Sequence, residues 1–193
     1  MNYLAHALPH LDRPYFAAGT ALPDWLSVVD RKVRLRPRLL EPHLSTESAP
    51  QPLLAAGALQ HLADDDWFHR TRGFAEVTAT LGLLFRERLQ GTDGYRCGFL
   101  GHIVTELLLD SVLIERFPSS LQEYYQALAG IDPELIANSV AVFAGRPAER
   151  LAWFVKVFLR ERILDDYTDD ARLLRRLNQV LARVKLTPLP SEA

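Results

Sequence analysis

The chain is poor in cysteine, in methionine and in strand-forming patterns, with one Cys and one Met in 193 residues. The lone Cys97 excludes an internal disulfide framework and any cysteine-rich zinc site, and it suits a reducing compartment. Beside Gly98 in an apolar helix, it reads as a buried, inert thiol. Excess charge of one sign is missing too. Twenty-two Lys and Arg against 24 Asp and Glu leave a formal charge of -2, without the basic footprint of a nucleic-acid binder. No apolar run reaches the roughly 18 to 20 residues that span a bilayer, so no membrane partner is expected. The opening "MNYLAHALPHLDRP" has no basic n-region and no cleavage site, and does not read as a signal peptide. A cytoplasmic location is the default expectation. Internal repeats and low-complexity segments are also absent.

What is present is helix. Hydrophobic residues make up 48% of the chain, enough to bury a substantial core in one domain of about 100 to 200 residues. Prolines punctuate the pattern where first helical turns accept them: Pro14, Pro23, Pro133 and Pro147. Asp132 is placed as an N-cap, Ser119 or Ser120 opens a capping box with Gln122 or Glu123, and Thr168 heads a last helix with two aspartates. Helices are expected over Pro52–His69, from a break near Gly73 to Leu89, and over Tyr95–Phe117. Residues 31–51 read as a long basic, proline-containing loop, "QGTDG" as a short loop, and 186–193 as a frayed tail. The expected fold is all-α, a single domain of about seven to nine helices.

Two stripes carry the chemistry. In "GALQHLADDDWFHRTR", His61, Asp65 and His69 recur every four residues and stack along one helix face. In "GHIVTELLLDSVL", His102, Glu106 and Asp110 repeat the spacing inside a very apolar helix. Leu54, Ala58 and Leu62 turn the first stripe inward, whereas Asp66 faces solvent. An isolated buried carboxylate is costly unless paired or metal-bound. Aligned imidazoles and carboxylates on neighbouring turns offer ligands to one or two divalent metals. His6, in an apolar start, and Asp24, after Pro23, are further ligand candidates, with core histidine and N-cap as their ordinary alternatives. His61, Asp65, His102 and Asp110 should then converge within a few ångströms. Because inward carboxylates repel unless a cation lies between them, removing Asp65 should leave the metal-free fold intact or more stable.

"MNYLAHAL", "GTALPDWL" and "AAGALQHLADDDWFH", followed by a late helix with paired acids, resemble the acyl carrier protein phosphodiesterase family. Asn2 and His6 match its first element, Gly19 and Asp24 its second, Gly57, His61 and Asp65 its third, and Glu106 with Asp110 its fourth. The resemblance covers about the first 60% of the chain. It implies a helical, HD-domain-like, metal-dependent phosphohydrolase that releases the phosphopantetheine arm of acyl carrier protein. Thr20, His69, Glu106 and Ser111 stand where the family has Asn, Asp, Asp and His, and His102 is an added candidate. These exchanges move the ligand set towards nitrogen, with Mn, Zn or Fe as the divalent metal.

In this reading Asp65 is catalytic as well as a ligand, and Arg70 and Arg72 neutralise substrate phosphate. Arg31, Lys32, Arg34, Arg36 and Arg38 alternate with apolar residues and could steer an acidic partner such as acyl carrier protein; a small phosphodiester is the other candidate partner. Two other classes stay open: another helical metal hydrolase, such as a zinc phospholipase or nuclease, and a non-enzymatic helical protein with a buried polar network.

Overall fold

Proline at the first turn starts four of the helices, since its missing N–H has no partner to lose there. The computed structural model describes residues 1–89 and 95–190. The expected "QGTDG" loop and the last three residues of the tail lie outside them. The described residues form ten α-helices and three 3-10 turns, without a strand. They are α1 Tyr3–Ala7, α2 Pro14–Val29, α3 Pro37–Leu40, α4 Pro50–Phe68 and α5 Arg72–Arg88, then α6 Cys97–Arg116, α7 Ser120–Ala129, α8 Pro133–Ala144, α9 Leu151–Glu161 and α10 Asp170–Arg183. The fold is all-α, as the helix patterns imply. The count exceeds seven to nine because α1 and α3 are only five and four residues long.

Several boundaries differ from expectation. Pro23 lies inside α2 rather than starting a second helix. Leu22 before it and Trp25 and Leu26 beyond it are at most 2% exposed, and burying them outweighs one lost backbone hydrogen bond. Residues 31–51 are not all loop, because α3 and a 3-10 turn, Glu41–His43, fold within them and α4 begins at Pro50. Val33, Leu35 and Leu40 are the buried anchors of this segment. Helix α9 begins at Leu151, four residues after Pro147. Ser119 caps α7 by position without a side-chain hydrogen bond, so the capping box does not form. Asp132 does cap α8, accepting from Glu134 N at 2.9 Å, and Asp169 rather than Thr168 caps α10, accepting from Arg172 N at 2.8 Å. The tail is held as far as it is described. Asn178 clamps Leu189 through both its N–H and C=O, and the Leu189 side chain is buried. Cys97 is only half-buried, at the first position of α6.

The core centres on α2. Trp25 and Tyr3 pack against Phe158 of α9 with ring centroids 5.4 and 4.9 Å apart, and Tyr124 of α7 closes the cluster. Each such fully buried side chain contributes about 1.5–3 kcal/mol. Helices α2 and α4 cross at Gly19 and Gly57, where a Cβ on Gly19 would lie 2.5 Å from the Leu54 carbonyl oxygen. Helices α5 and α6 form a second close pair, with Gly101 against the backbone at Thr78 and Gly82. Among the described residues α6 alone is long and apolar enough to cross a membrane by length and composition, contrary to expectation. Its polar residues, however, are engaged by α1 and α4, as the site geometry makes clear.

Candidate metal centre

The second stripe lies within α6, and the first runs from within α4 to His69 at its C-cap, one residue beyond the helix, but they do not form one group. They divide into two sets. His6, His61 and Asp65 offer ligand atoms that all lie within 4.8 Å of one another, and His69, His102 and Glu106 do the same. The first stripe is therefore shared between the sets, and α1 supplies a ligand to one of them.

The first set is buried. The close crossing at Gly19 and Gly57 brings the Thr20 carbonyl to His61 Nδ1, which donates to it at 2.7 Å. A carbonyl oxygen can only accept, so this contact fixes the proton on Nδ1 and turns Nε2 towards Asp65 Oδ2, 3.4 Å away. His6 repeats the device. Its Nδ1 donates to Asp64 Oδ2 at 3.1 Å, and its Nε2 faces Asp65 Oδ1 at 3.3 Å. The two rings stack with centroids 4.0 Å apart. Tying the outer nitrogen to an oxygen acceptor is how metal-binding histidines are usually oriented. His6 Nε2 is also buried without a hydrogen-bond partner, as is Asp24 Oδ2. Buried orphan atoms of this kind fit a cation ligand set.

Electrostatics follow. Burial opposes ionisation of Asp65, yet the facing nitrogens of His6 and His61, the charge of His61 and the Met1 ammonium hold its carboxyl far below the usual range. Burial lowers the proton affinity of His61, but its bond to Asp65 and the charges of Asp24 and Asp65 raise it overall. Burial raises Asp24, against the pull of His61 and His6.

The second set is more open. His69 Nε2 donates to Glu106 Oε1 at 2.9 Å, and His102 Nε2 lies 3.2 Å from the same oxygen. The side chains of His69 and His102 are 33% and 37% exposed, whereas His6 and His61 are sealed. Burial raises Glu106, but His102, the Met1 ammonium and His69 bring it below its ordinary value. That ammonium joins the sets, donating to Asp65 Oδ1 at 2.7 Å and Glu106 Oε1 at 3.2 Å.

Four expected site residues lie outside the two sets. Asp24, in α2, acts on His61 and His6 through its charge and belongs to neither set. Asp110 does not converge with His61, Asp65 and His102. It is fully buried and accepts from Leu4 N at 2.9 Å and Ala5 N at 2.8 Å, which anchors the first turn of α1. The unpaired amide donors of a helix start attract a carboxylate, and Asp110 satisfies two of them. Burial nonetheless pushes its carboxyl up to about 7. Arg70 and Arg72 are on the surface, in exposed pairs with Asp66 at 2.5 Å and Glu76 at 2.6 Å. Their charges are spent on local i, i+4 partners, not on the two sets.

Asp64 and Met1 complete the surroundings and were not singled out from the sequence. The signal for Asp64 was its place three residues after His61, on the flank of the stripe. Thr20 contributes its backbone carbonyl, so the orientation of His61 does not depend on the side chain at position 20. No known family model, curated protein or solved structure matches the chain.

Proposed function

We infer that this chain is a metal-dependent phosphoric diester hydrolase resembling the acyl carrier protein phosphodiesterases, with an HD-domain-like helical arrangement. The observation that carries the reading is the pair of inward Nε2 atoms on His6 and His61. Both rings have their Nδ1 tied outward, and both aim Nε2 at an ionised Asp65. His6, His61 and Asp65 would hold one divalent cation, and His69, His102 and Glu106 a second. The nitrogen-rich sets suit zinc, with manganese and iron as alternatives. A divalent cation there supplies Lewis-acid polarisation of a phosphoryl oxygen and activation of water. Asp64 and the Thr20 carbonyl keep the imidazoles in register, and Asp65 and Glu106 supply the negative charge. The half-open His69 and His102 mark the side from which a substrate enters. The five basic residues Arg31, Lys32, Arg34, Arg36 and Arg38 are exposed and offer an acidic protein partner, such as acyl carrier protein, a place to dock.

One observation favours a second reading. The Met1 ammonium already lies between Asp65 and Glu106, which closes a polar network without any metal. Elemental analysis of purified protein, followed by titration of chelated protein with zinc and manganese, separates the two. Tight binding at one or two sites per chain, with hydrolysis of bis(p-nitrophenyl) phosphate or holo acyl carrier protein, is the expected result. A protein that takes up no metal and melts identically in chelator is a structural network.

A further inference from the structure

A groove of about 390 Å³ runs from the end of α4 across α5 and α6, directly beside the second ligand set. Trp67, Phe68, Phe74, Val77, Leu108 and Val112 line it. Trp67 is 65% exposed and Val112 55%, so the wall is open to solvent although it is apolar. Its volume falls at the small end of the roughly 300–1,000 Å³ range of ligand pockets. No charged side chain lines it. The hydroxyls of Thr71 and Thr105 are turned to the protein, donating to Phe68 O at 2.7 Å and Gly101 O at 2.7 Å. The groove therefore has nothing with which to bind a polar group.

It is continuous with the candidate centre. Phe74 meets the His102 ring edge-on with centroids 5.0 Å apart, and the His69 ring at 4.7 Å. One aromatic ring thus borders both the groove and two ligands. We propose that the groove receives the alkyl group of a small amphiphilic phosphoester, whose phosphoryl group then lies at His69, His102 and Glu106. The proposal rests on the phosphohydrolase reading and narrows its substrate class to esters with an apolar arm. Chemistry favours this occupant over a polar one: the uncharged trough ends, through Phe74, at the rings of His69 and His102 beside Glu106.

The test is calorimetric titration of the zinc-loaded protein with methyl phosphate and with octyl phosphate below its micelle concentration. It is run on wild type and on Val112→Asp and Leu108→Asp, both at exposed positions. Wild type should bind octyl phosphate at least about tenfold more tightly, since two buried methylenes supply about that factor. Either aspartate should reduce the preference to about threefold or less while methyl phosphate binding and helical circular dichroism stay unchanged. Equal affinity for both chains, or a preference that survives both variants, overturns the proposal. A wild-type dimer that Val112→Asp turns into monomer also overturns it, because the groove is then an interface between copies. Turnover of methyl and octyl p-nitrophenyl phosphodiesters distinguishes the two failures. Chain-length-dependent binding without turnover defeats the hydrolase reading alone, and turnover indifferent to chain length defeats the groove alone.

Discussion

Replacing Asp65 by alanine distinguishes a metal ligand from a structural acid. In the structure this carboxylate takes the Met1 ammonium at 2.7 Å and faces His6 Nε2 at 3.3 Å and His61 Nε2 at 3.4 Å. Deleting it leaves the ammonium with Glu106 alone and two buried imidazole nitrogens without the oxygen they face. Such a loss costs about 1–3 kcal/mol, and the lower half applies because Asp65 is 29% exposed and solvent screens part of the interaction. One kcal/mol moves Tm by about 2–4 °C in a chain of this size, so the metal-free variant should melt about 2–8 °C below wild type. Repulsion between inward carboxylates would have the opposite effect and raise Tm. The ammonium between Asp65 and Glu106 removes that repulsion, which reverses the sign expected from the stripe pattern alone. Metal then separates the roles. A cation at 100 times its Kd adds about 2.7 kcal/mol to the folded state, or about 5–11 °C. Wild type should show that rise with zinc or manganese, and Asp65→Ala should not. Differential scanning calorimetry of both proteins, after dialysis against chelator and again with metal, measures all four values. An equal rise in both proteins would refute the role of Asp65 as a ligand.

Gly57→Ala should destabilise the fold by about 1–3 kcal/mol or more and weaken metal binding in parallel, because a Cβ runs into the Phe16 carbonyl and draws Thr20 away from His61. Gly73→Ala, where a Cβ meets nothing within 4 Å, is the control, and equal melts for the two variants would sink the idea. Asp110→Asn should cost stability through a poorer anchor for α1 and also change its pH dependence. Folded Asp110 keeps its proton up to about 7 whereas the unfolded chain releases it near 3.8, so ionisation within that window opposes folding. Denaturant titrations should therefore show wild type losing stability relative to Asp110→Asn between those pH values; a constant difference contradicts the assignment. Replacing Arg31, Arg34, Arg36 and Arg38 with glutamine should weaken binding of an acidic carrier protein and flatten its salt dependence, because exposed charges are screened over about 8–10 Å. Affinity indifferent to both changes leaves the segment as solvated surface.

Helix class and the alignment of His61, Asp65 and His69, or of His102, Glu106 and Asp110, were legible in the sequence because local backbone geometry sets them. Four residues advance a helix by about one turn whatever surrounds it. The proline starts of α2 and α8 and the Asp132 cap were legible for the same reason, since each acts within a few residues of itself. How the stripes divide was not legible. His69 joins α6 and leaves Asp65 to α1 because of where α1 lies, and α1 lies there because Asp110 holds its first turn. Asp110 shares the spacing of a ligand, but its task is decided by amides more than a hundred residues away in sequence. Arg70 and Arg72 follow the stripe in sequence yet point to solvent, and Pro23 sits in a helix that the burial of Trp25 keeps whole. Spacing along one helix decides which side chains share a face. Which faces meet is decided by the close crossing at Gly19 and Gly57 and by what fits between the helices, and those are properties of the packed chain.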